Sequence, residues 1–296
     1  MQNQNIFKSG FVTILGAPNV GKSTLLNRIL GQKISITSKK AQTTRNRILG
    51  VRHEPAAQIV FLDTPGIHDA KNTLNIRMKD TAVSAMGDAD LILFVTDIST
   101  PDSDSETLVV RKLEKQKKPV ILVINKTDLV RKPEILTAIE KWAKIYSFEA
   151  VIPISAEHGD HTDALVEAMV KLLPPGPPYF PEDALTDMPE RFIAAEMIRE
   201  KVFRFTGEEI PYSTAVTVDE FSEKPNLVSI HATIHLERDS QKGIVIGKNG
   251  IKLKQIGSEA RKEIERMVGV KVFLKLFVRV EKNWSKDTKA LQKFGY

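Results

Sequence analysis

Residues Gly16-Ala17-Pro18-Asn19-Val20-Gly21-Lys22-Ser23 have the spacing G-x₄-G-K-[ST], with Thr24 following. Those residue types suit a phosphate. Gly16 and Gly21 let backbone amides approach phosphate oxygens with no Cβ in the way, and Ala17, Pro18, Asn19 and Val20 complete the loop. Lys22 can reach the β- and γ-phosphates, and Ser23 offers a hydroxyl to Mg²⁺. The run FVTIL before the loop reads as a strand and TLLNRIL after it as a helix. The helix N-terminus adds further N–H donors and a favourable dipole. A chance glycine-rich turn would lack that setting.

A phosphate loop does not choose between adenine and guanine; other residues must. Asp63-Thr64-Pro65-Gly66 ends a second apolar run, where Asp63 can hold Mg²⁺ through water and the Gly66 amide can meet a γ-phosphate. Asn125-Lys126-Thr127-Asp128 follows a third such run. Asp128 can accept from guanine N1 and the 2-amino group, a donor pair that adenine lacks, so the site discriminates by what it would leave unpaired. Lys126 can lie over the base, Asn125 can tie its loop to the phosphate loop, and Ser155-Ala156 can donate from the backbone to guanine O6. Between Ser23 and Asp63 lies ITSKKAQTTRNRILG, polar and basic. Thr43 or Thr44 should close on Mg²⁺ and the γ-phosphate there, and Thr44 is favoured. Lys39, Lys40 and Arg45 read as solvated. The expected ligands are therefore GTP or GDP and Mg²⁺, with Lys22, Thr44, Gly66 and Asn19 nearest the chemistry.

A further glycine pair, Gly247-Lys248-Asn249-Gly250, stands between two helical patterns and matches the GXXG loop that clamps about four nucleotides of RNA backbone. Lys248 offers the counter-charge, and Lys252, Lys254, Arg261 and Lys262 are further phosphate contacts. Ile244, Ile246 and Ile251 either line a base-binding groove beside the loop or belong to the core, and both readings stay open. From Gln241 to Tyr296 there are 14 Lys and Arg against 5 Asp and Glu, +9, while the preceding 240 residues carry 29 against 32, −3. A polyanionic partner is thus expected for the second part of the chain alone.

The elements that must position these residues are legible in outline. GFVTILG, AQIVFLDT, ADLILFVTD, KPVILVINK and AVIPIS read as strands buried on both faces, with helices at STLLNRILG, SETLVVRKLEKQ and EILTAIEKWAKIY. That alternation predicts an α/β P-loop domain over residues 8–173, a mostly parallel sheet with helices on both faces. LPPGPPYFPED carries five prolines in eleven residues, which no helix or central strand tolerates. Residues 174–184 are therefore read as an extended linker. Over 185–296 the order becomes α-β-β-α-α-β, a smaller α+β domain with a C-terminal tail, in which GIVIGKNG reads as a turn. Two domains agree with 296 residues. No cysteine is present, which removes disulfides and thiolate metal sites. The polar start MQNQNIFKSG and the short apolar runs argue against a signal peptide or a membrane span.

Together these motifs resemble the Era family of bacterial GTPases. The segments that carry the likeness are GAPNVGKSTLLNRILGQKISITSKKAQTTRNRI, DTPGIH, NKTD and SAE, then RFIAAEMIREKVFRFTGEEIPYS and VIGKNGIKLKQIGSEARKEIE. The resemblance implies a Ras-like G domain joined to a type II KH domain, binding near the 3′ end of 16S ribosomal RNA, and a part in assembly of the 30S ribosomal subunit. It also implies a cytoplasmic protein with peripheral contact with the inner membrane. Ile67 stands where Ras-like enzymes place a water-orienting glutamine, so slow intrinsic hydrolysis is expected. His68 beside it reads as an exposed polar residue rather than a base. In related potassium-activated GTPases the residue at the position of Asn19 binds K⁺ beside the phosphates; a loop hydrogen bond is its alternative role. A signalling GTPase with a protein-binding second domain is the competing reading. A tRNA-modifying enzyme is disfavoured by the missing C-terminal cysteine, and a tandem GTPase by the single GxxxxGKS. Nothing in the sequence calls for an obligate oligomer.

Overall fold

The computed structural model describes residues 6–38, 40, 43–67, 73–207 and 209–296, so Lys39 and His68 lie outside the described residues. The chain divides into two compact units, the second made of Met188–Tyr296 together with the start of the helix Thr73–Asp88, up to Arg77.

In the first unit the five expected strands form as β1 (Lys8–Leu15), β3 (Ala57–Asp63), β4 (Leu91–Asp97), β5 (Val120–Asn125) and β6 (Ala150–Pro153). They lie parallel in the order β3-β1-β4-β5-β6. Every residue of β3, β4 and β5 is buried, as strands covered on both faces must be. A sixth strand, β2 (Ile48–Glu54), was not expected. It pairs antiparallel with β3 and forms the sheet edge. Its hairpin turns through Pro55-Ala56, without the Asn-Gly or Asp-Gly signal that marks such turns in sequence. The expected helices are α1 (Lys22–Leu30), α3 (Ser103–Leu113) and α4 (Lys132–Ile145), and two more, α2 (Thr73–Asp88) and α5 (Thr162–Leu172), complete the layers. In α3 the start is fixed by Asp102, whose carboxylate accepts from the Ser105 amide at 3.0 Å, with Asp104 and Glu106 in the first turn.

The proline-rich segment is extended, and its hydrogen bonds run to the first unit. Ser9 donates its amide to Pro174 O and its hydroxyl to Pro177 O. The Gln58 side chain accepts from the Tyr179 and Phe180 amides and donates to Phe180 O. Val51 N donates to Leu185 O, while Phe180 packs on Leu49, Val51, Val60 and Leu62. The segment thus straps the β2 edge, which would otherwise offer unpaired backbone.

The second unit follows the expected order: α6 (Glu190–Phe205), β7 (Ala215–Lys224), β8 (Leu227–Leu236), α7 (Asp239–Ile246), α8 (Ile251–Val268) and β9 (Lys271–Val280). β7 pairs antiparallel with β8, and β8 parallel with β9. Ile198, Val202, Ile230, Ile234, Ile256 and Ile264 meet in its core. α6 is buried almost all round, so its charges are paired: Arg199 with Glu196 and Lys201 with Glu263. GIVIGKNG is only half a turn, because Gly243–Ile246 forms the last turn of α7. The tail adds α9 (Thr288–Lys293) and the buried Trp284, whose indole N–H donates to Ser213 O at 3.1 Å.

Candidate functional site

The phosphate loop joins β1 to α1 in the first unit, and steric room sets its glycines. A Cβ on Gly16, at φ 153°, would stand 2.3 Å from Val95 O. On Gly21, at φ 97°, it would meet Asn125 Nδ2 at 2.3 Å. Lys22 is buried, and its ammonium donates to Gly16 O at 3.2 Å and Ala17 O at 2.8 Å, inside the empty curve of the loop. Burial lowers its pKa to about 8, with Asp63 pulling the other way. Phosphate oxygens are the natural ligands for a cation held in that position.

Ser23, Thr44 and Asp63 come together, although 40 residues separate the outer two in sequence. Ser23 Oγ lies 2.8 Å from Thr44 Oγ1 and donates to Asp63 Oδ2 at 2.7 Å. Thr43 instead donates its hydroxyl to Lys40 O at 2.7 Å, so the geometry separates the two threonines that the sequence left paired. Ser35, which sequence reading missed, donates to Asp63 Oδ2 at 2.9 Å and is held by Asn27, which accepts from the Ser35 amide. Asp63 Oδ1 is buried with no hydrogen-bond partner among the described residues. Burial pushes the Asp63 carboxyl up, against the pull of Ser23, Lys22 and Ser35. An orphaned carboxylate oxygen beside two hydroxyls is an all-oxygen donor set, which fits a hard divalent cation such as Mg²⁺. Arg45, read as solvated, is instead buried at 3% exposure.

Gly66 presses on the loop: a Cβ there would lie 2.8 Å from Pro18 N. Ile67 N donates to Gly16 O at 3.1 Å, and the Ile67 side chain is buried among Leu15, Phe94 and Met86. No side chain at position 67 therefore faces the phosphate loop. The Thr64 hydroxyl also turns inward, donating to Ile14 O at 2.8 Å. Asn19 adopts the left-handed conformation at φ 64°, is exposed, and its side chain makes no hydrogen bond to a described residue.

At the end of β5, Asn125 stitches three loops together. Its Nδ2 donates to Val20 O at 2.8 Å, and its Oδ1 accepts from the Ala156 amide at 2.9 Å. Lys126, left-handed at φ 65°, pairs with Asp97. Asp97 also holds its own loop through the Ser99 and Thr100 amides, a role the sequence did not signal. A cleft of about 560 Å³ opens between Pro18, Asn19, Asp97, Thr100 and Lys126, within the range of a small-molecule site. The Asp128 carboxylate lies 3.8 Å from His158 Nε2, a neighbour also missed. The Ser155 amide donates to Asp160 O at 3.2 Å and the Ala156 amide to Asn125 Oδ1 at 2.9 Å.

In the second unit, Gly247 (φ 72°), Asn249 (φ 53°) and Gly250 (φ 73°) turn the chain between α7 and α8. A Cβ on Gly247 would lie 2.8 Å from Lys252 Cβ, and Asn tolerates the left-handed position better than most residues. Lys248, Asn249 and Lys254 are exposed, and Lys252 is half-buried. Ile244 is 47% and Ile251 65% exposed, so neither belongs to the core; Ile246 is half-buried and Val245 is the core residue of that turn. Arg261 and Lys262 are exposed one to three turns further along α8.

Comparison with known proteins finds matches over both units. Residues 11–126 match a family described as 50S ribosome-binding GTPase, and residues 209–285 match the KH domain. The GTPase Era of Geobacter metallireducens is 57% identical over 296 residues, covering 99% of each chain. The GTPase Era of Geotalea uraniireducens is 56% identical over 291 residues, covering 98% of each. Among solved structures, Era in complex with MgGDPNP and nucleotides 1506–1542 of 16S ribosomal RNA superposes with a TM-score of 0.94 at 43% identity, covering 98% of this chain and 99% of that one. A variant of Aquifex aeolicus Era bound to GDP and AlF₄⁻ gives the same TM-score and identity.

Proposed function

The chain belongs to the Era family of GTPases, and on that footing we propose a Mg²⁺-dependent switch that binds 16S ribosomal RNA near its 3′ end and assists assembly of the 30S subunit. The observation that carries this reading is the likeness, across both units, to Era holding MgGDPNP and that RNA together. The description of the G-domain family names the 50S subunit, but its match stops at residue 126, whereas the likeness to Era includes the KH domain. That favours the small subunit.

In the nucleotide site, Lys22 would exchange the carbonyls of Gly16 and Ala17 for β- and γ-phosphate oxygens, balancing the negative charge that builds up on the bridging oxygen as the γ-phosphoryl bond breaks. Ser23, Thr44 and Asp63 hold Mg²⁺, which supplies charge neutralisation across the phosphates. The Gly66 amide faces the γ-phosphate. Asp128 reads guanine N1 and its amino group, while Lys126 flanks the base and Asn125 keeps both loops in register. With Ile67 buried, position 67 offers no group to orient water, so basal hydrolysis is slow. Asn19, exposed and without a described partner, is suited to a K⁺ ion beside the phosphates. No helix among the described residues is long and apolar enough to cross a membrane; a cytoplasmic location with peripheral membrane contact follows the family resemblance.

The test is RNA binding by the whole chain across a salt series, with GDP or a non-hydrolysable GTP analogue bound. An affinity for the 3′ segment that falls steeply with salt is expected. A salt-independent affinity, or none, would favour a protein-binding second domain and overturn the RNA reading.

A further inference from the structure

β9 alternates strictly. Val272, Leu274, Leu276 and Val278 face the core of the second unit, so Lys271, Phe273, Lys275, Phe277 and Arg279 share the opposite face. That face is open: all five residues are exposed, Phe273 at 53% and Phe277 at 45%. Parallel pairing sets His231 of β8 beside Lys275. The His231 ring lies 6.2 Å from that of Phe273 and 6.4 Å from that of Phe277, nearly perpendicular to both. Lys275 Nζ stands 5.0 Å from the Phe277 ring centre. The outward row of β9 has three cations and no carboxylate; of the acids that border the face, Glu220 on β7 lies 3.0 Å from His231, Asp219 accepts from the Thr217 and Thr233 hydroxyls, and Glu281 lies by His235.

The chain covers one end of this face itself. The Phe294 ring packs 4.5 Å from that of His235, and Trp284 and Leu291 are buried beneath the tail. Phe273 and Phe277 are left outside that cover. Two exposed rings flanked by three cations match what single-stranded nucleic acid requires, a π-face for bases and positive charge for the backbone. Sheets that bind RNA carry aromatic residues on the open face in the same manner. A GXXG loop clamps about four nucleotides, yet the RNA in the Era complex, 1506 to 1542 inclusive, has 37. An RNA of that length extends well beyond what one such loop clamps.

We propose that the open face of β8 and β9, centred on Phe273, Phe277, Lys275 and Arg279, is a second RNA-binding surface that stacks unpaired bases outside the GXXG groove. The inference rests on the RNA-binding reading above and assigns it a second contact.

The experiment uses the full chain and an RNA corresponding to nucleotides 1506–1542. Replacing both rings, Phe273→Ala with Phe277→Ala, should weaken binding by roughly 30-fold or more, from about 1–3 kcal/mol per stacked base. Phe→Tyr at both positions should restore it. Lys275→Ala with Arg279→Ala should flatten the salt dependence by about 0.7 per lost phosphate contact. A photo-crosslinking residue at 277 should capture nucleotides different from those captured at 251. Wild-type affinity in the folded Phe→Ala variant overturns the proposal, as does crosslinking at 277 to the nucleotides found at 251. Unchanged RNA affinity with lost binding to 30S subunits also overturns it and gives the face to a protein. Failure of the unaltered chain to bind the RNA is a different outcome, and it defeats the earlier reading instead.

Discussion

The two units solve recognition in opposite ways. In the first, although Asp128 at the base end is exposed, the groups around the phosphates are mostly buried and already hydrogen-bonded to one another: Lys22 to loop carbonyls, Asn125 to Val20 and Ala156, Asp63 to Ser23 and Ser35. In the second, Lys248, Ile244, Ile251, Phe273 and Phe277 stand in solvent. A buried site gains selectivity because a wrong ligand leaves a polar group unpaired in low dielectric. An exposed basic surface cannot penalise a wrong ligand in that way. It gains affinity from charge and stacking, so it tolerates variety but weakens with salt. Selectivity for a small ligand and reach along a polymer are thus divided between the units.

The sharpest way to break this contrast is at the base. Asp128→Asn replaces an acceptor with a donor, so preference should shift from GTP toward XTP, with the ratio of affinities changing by up to ~10⁴-fold. Competition binding with the two nucleotides measures it. If the variant keeps its preference for guanine, the base is read elsewhere, and the first unit is less selective than the contrast requires.

At the exposed site the same kind of change should do less. Lys248→Asp with Asn249→Asp puts two negative charges where the RNA backbone passes, and RNA affinity should fall roughly 100-fold near 0.1 M salt. Guanine-nucleotide affinity should not change. Intact RNA binding by the folded variant would remove the loop from the site, whereas lost GTP binding would mean that the units are not functionally separate.

Smaller still is the effect at Asn19, the one exposed side chain placed among the phosphate-loop functions. If it helps hold K⁺, hydrolysis should run about tenfold faster in K⁺ than in Na⁺, ~1.4 kcal/mol of barrier, and Asn19→Ala should erase the difference. Equal rates for the unaltered protein in both salts would reduce Asn19 to a turn residue.

The same contrast explains what could be read from sequence. The phosphate loop and Asn125-Lys126-Thr127-Asp128 were legible because each depends on short-range spacing at a strand end. Ser35, Asn27 and Asp97 were not, because their roles come from contacts made only once the sheet has assembled. β2 escaped notice because Pro55-Ala56 is not a usual hairpin turn. The partners of the Ser155 and Ala156 amides were also invisible, since a motif fixes which residues reach a place and not what they bond to there. In the second unit the GXXG loop was legible, whereas the ring-and-cation row of β9 emerges only when register and the extent of the tail are known.

The smallest effect tests the exception to the contrast, the one histidine buried in the second unit. His235 side chain is 5% exposed; its Nδ1 lies 3.3 Å from Glu281 Oε2, and its Nε2 lies 2.9 Å from the Thr217 hydroxyl. Burial lowers its pKa from 6.5; Glu281 and Asp219 oppose the shift, while Lys293 and Arg279 reinforce it. The unfolded chain therefore takes up this proton first as pH falls, so stability from this group is full above pH ~6.5 and declines as pH drops through that value toward the folded pKa. His235→Gln keeps a partner for Thr217 and removes the titration. Thermal melts of the two proteins between about pH 7.5 and about pH 5 should diverge on the acid side, with the variant losing less stability. RNA affinity at pH 7.5 should be equal in both, because Phe294 of the tail covers this group, although it shares a sheet face with Arg279 beside it in register. Parallel melting curves would show that Glu281 outweighs burial at this site, and a variant with weakened RNA binding would bring the covered end of the sheet into the binding surface.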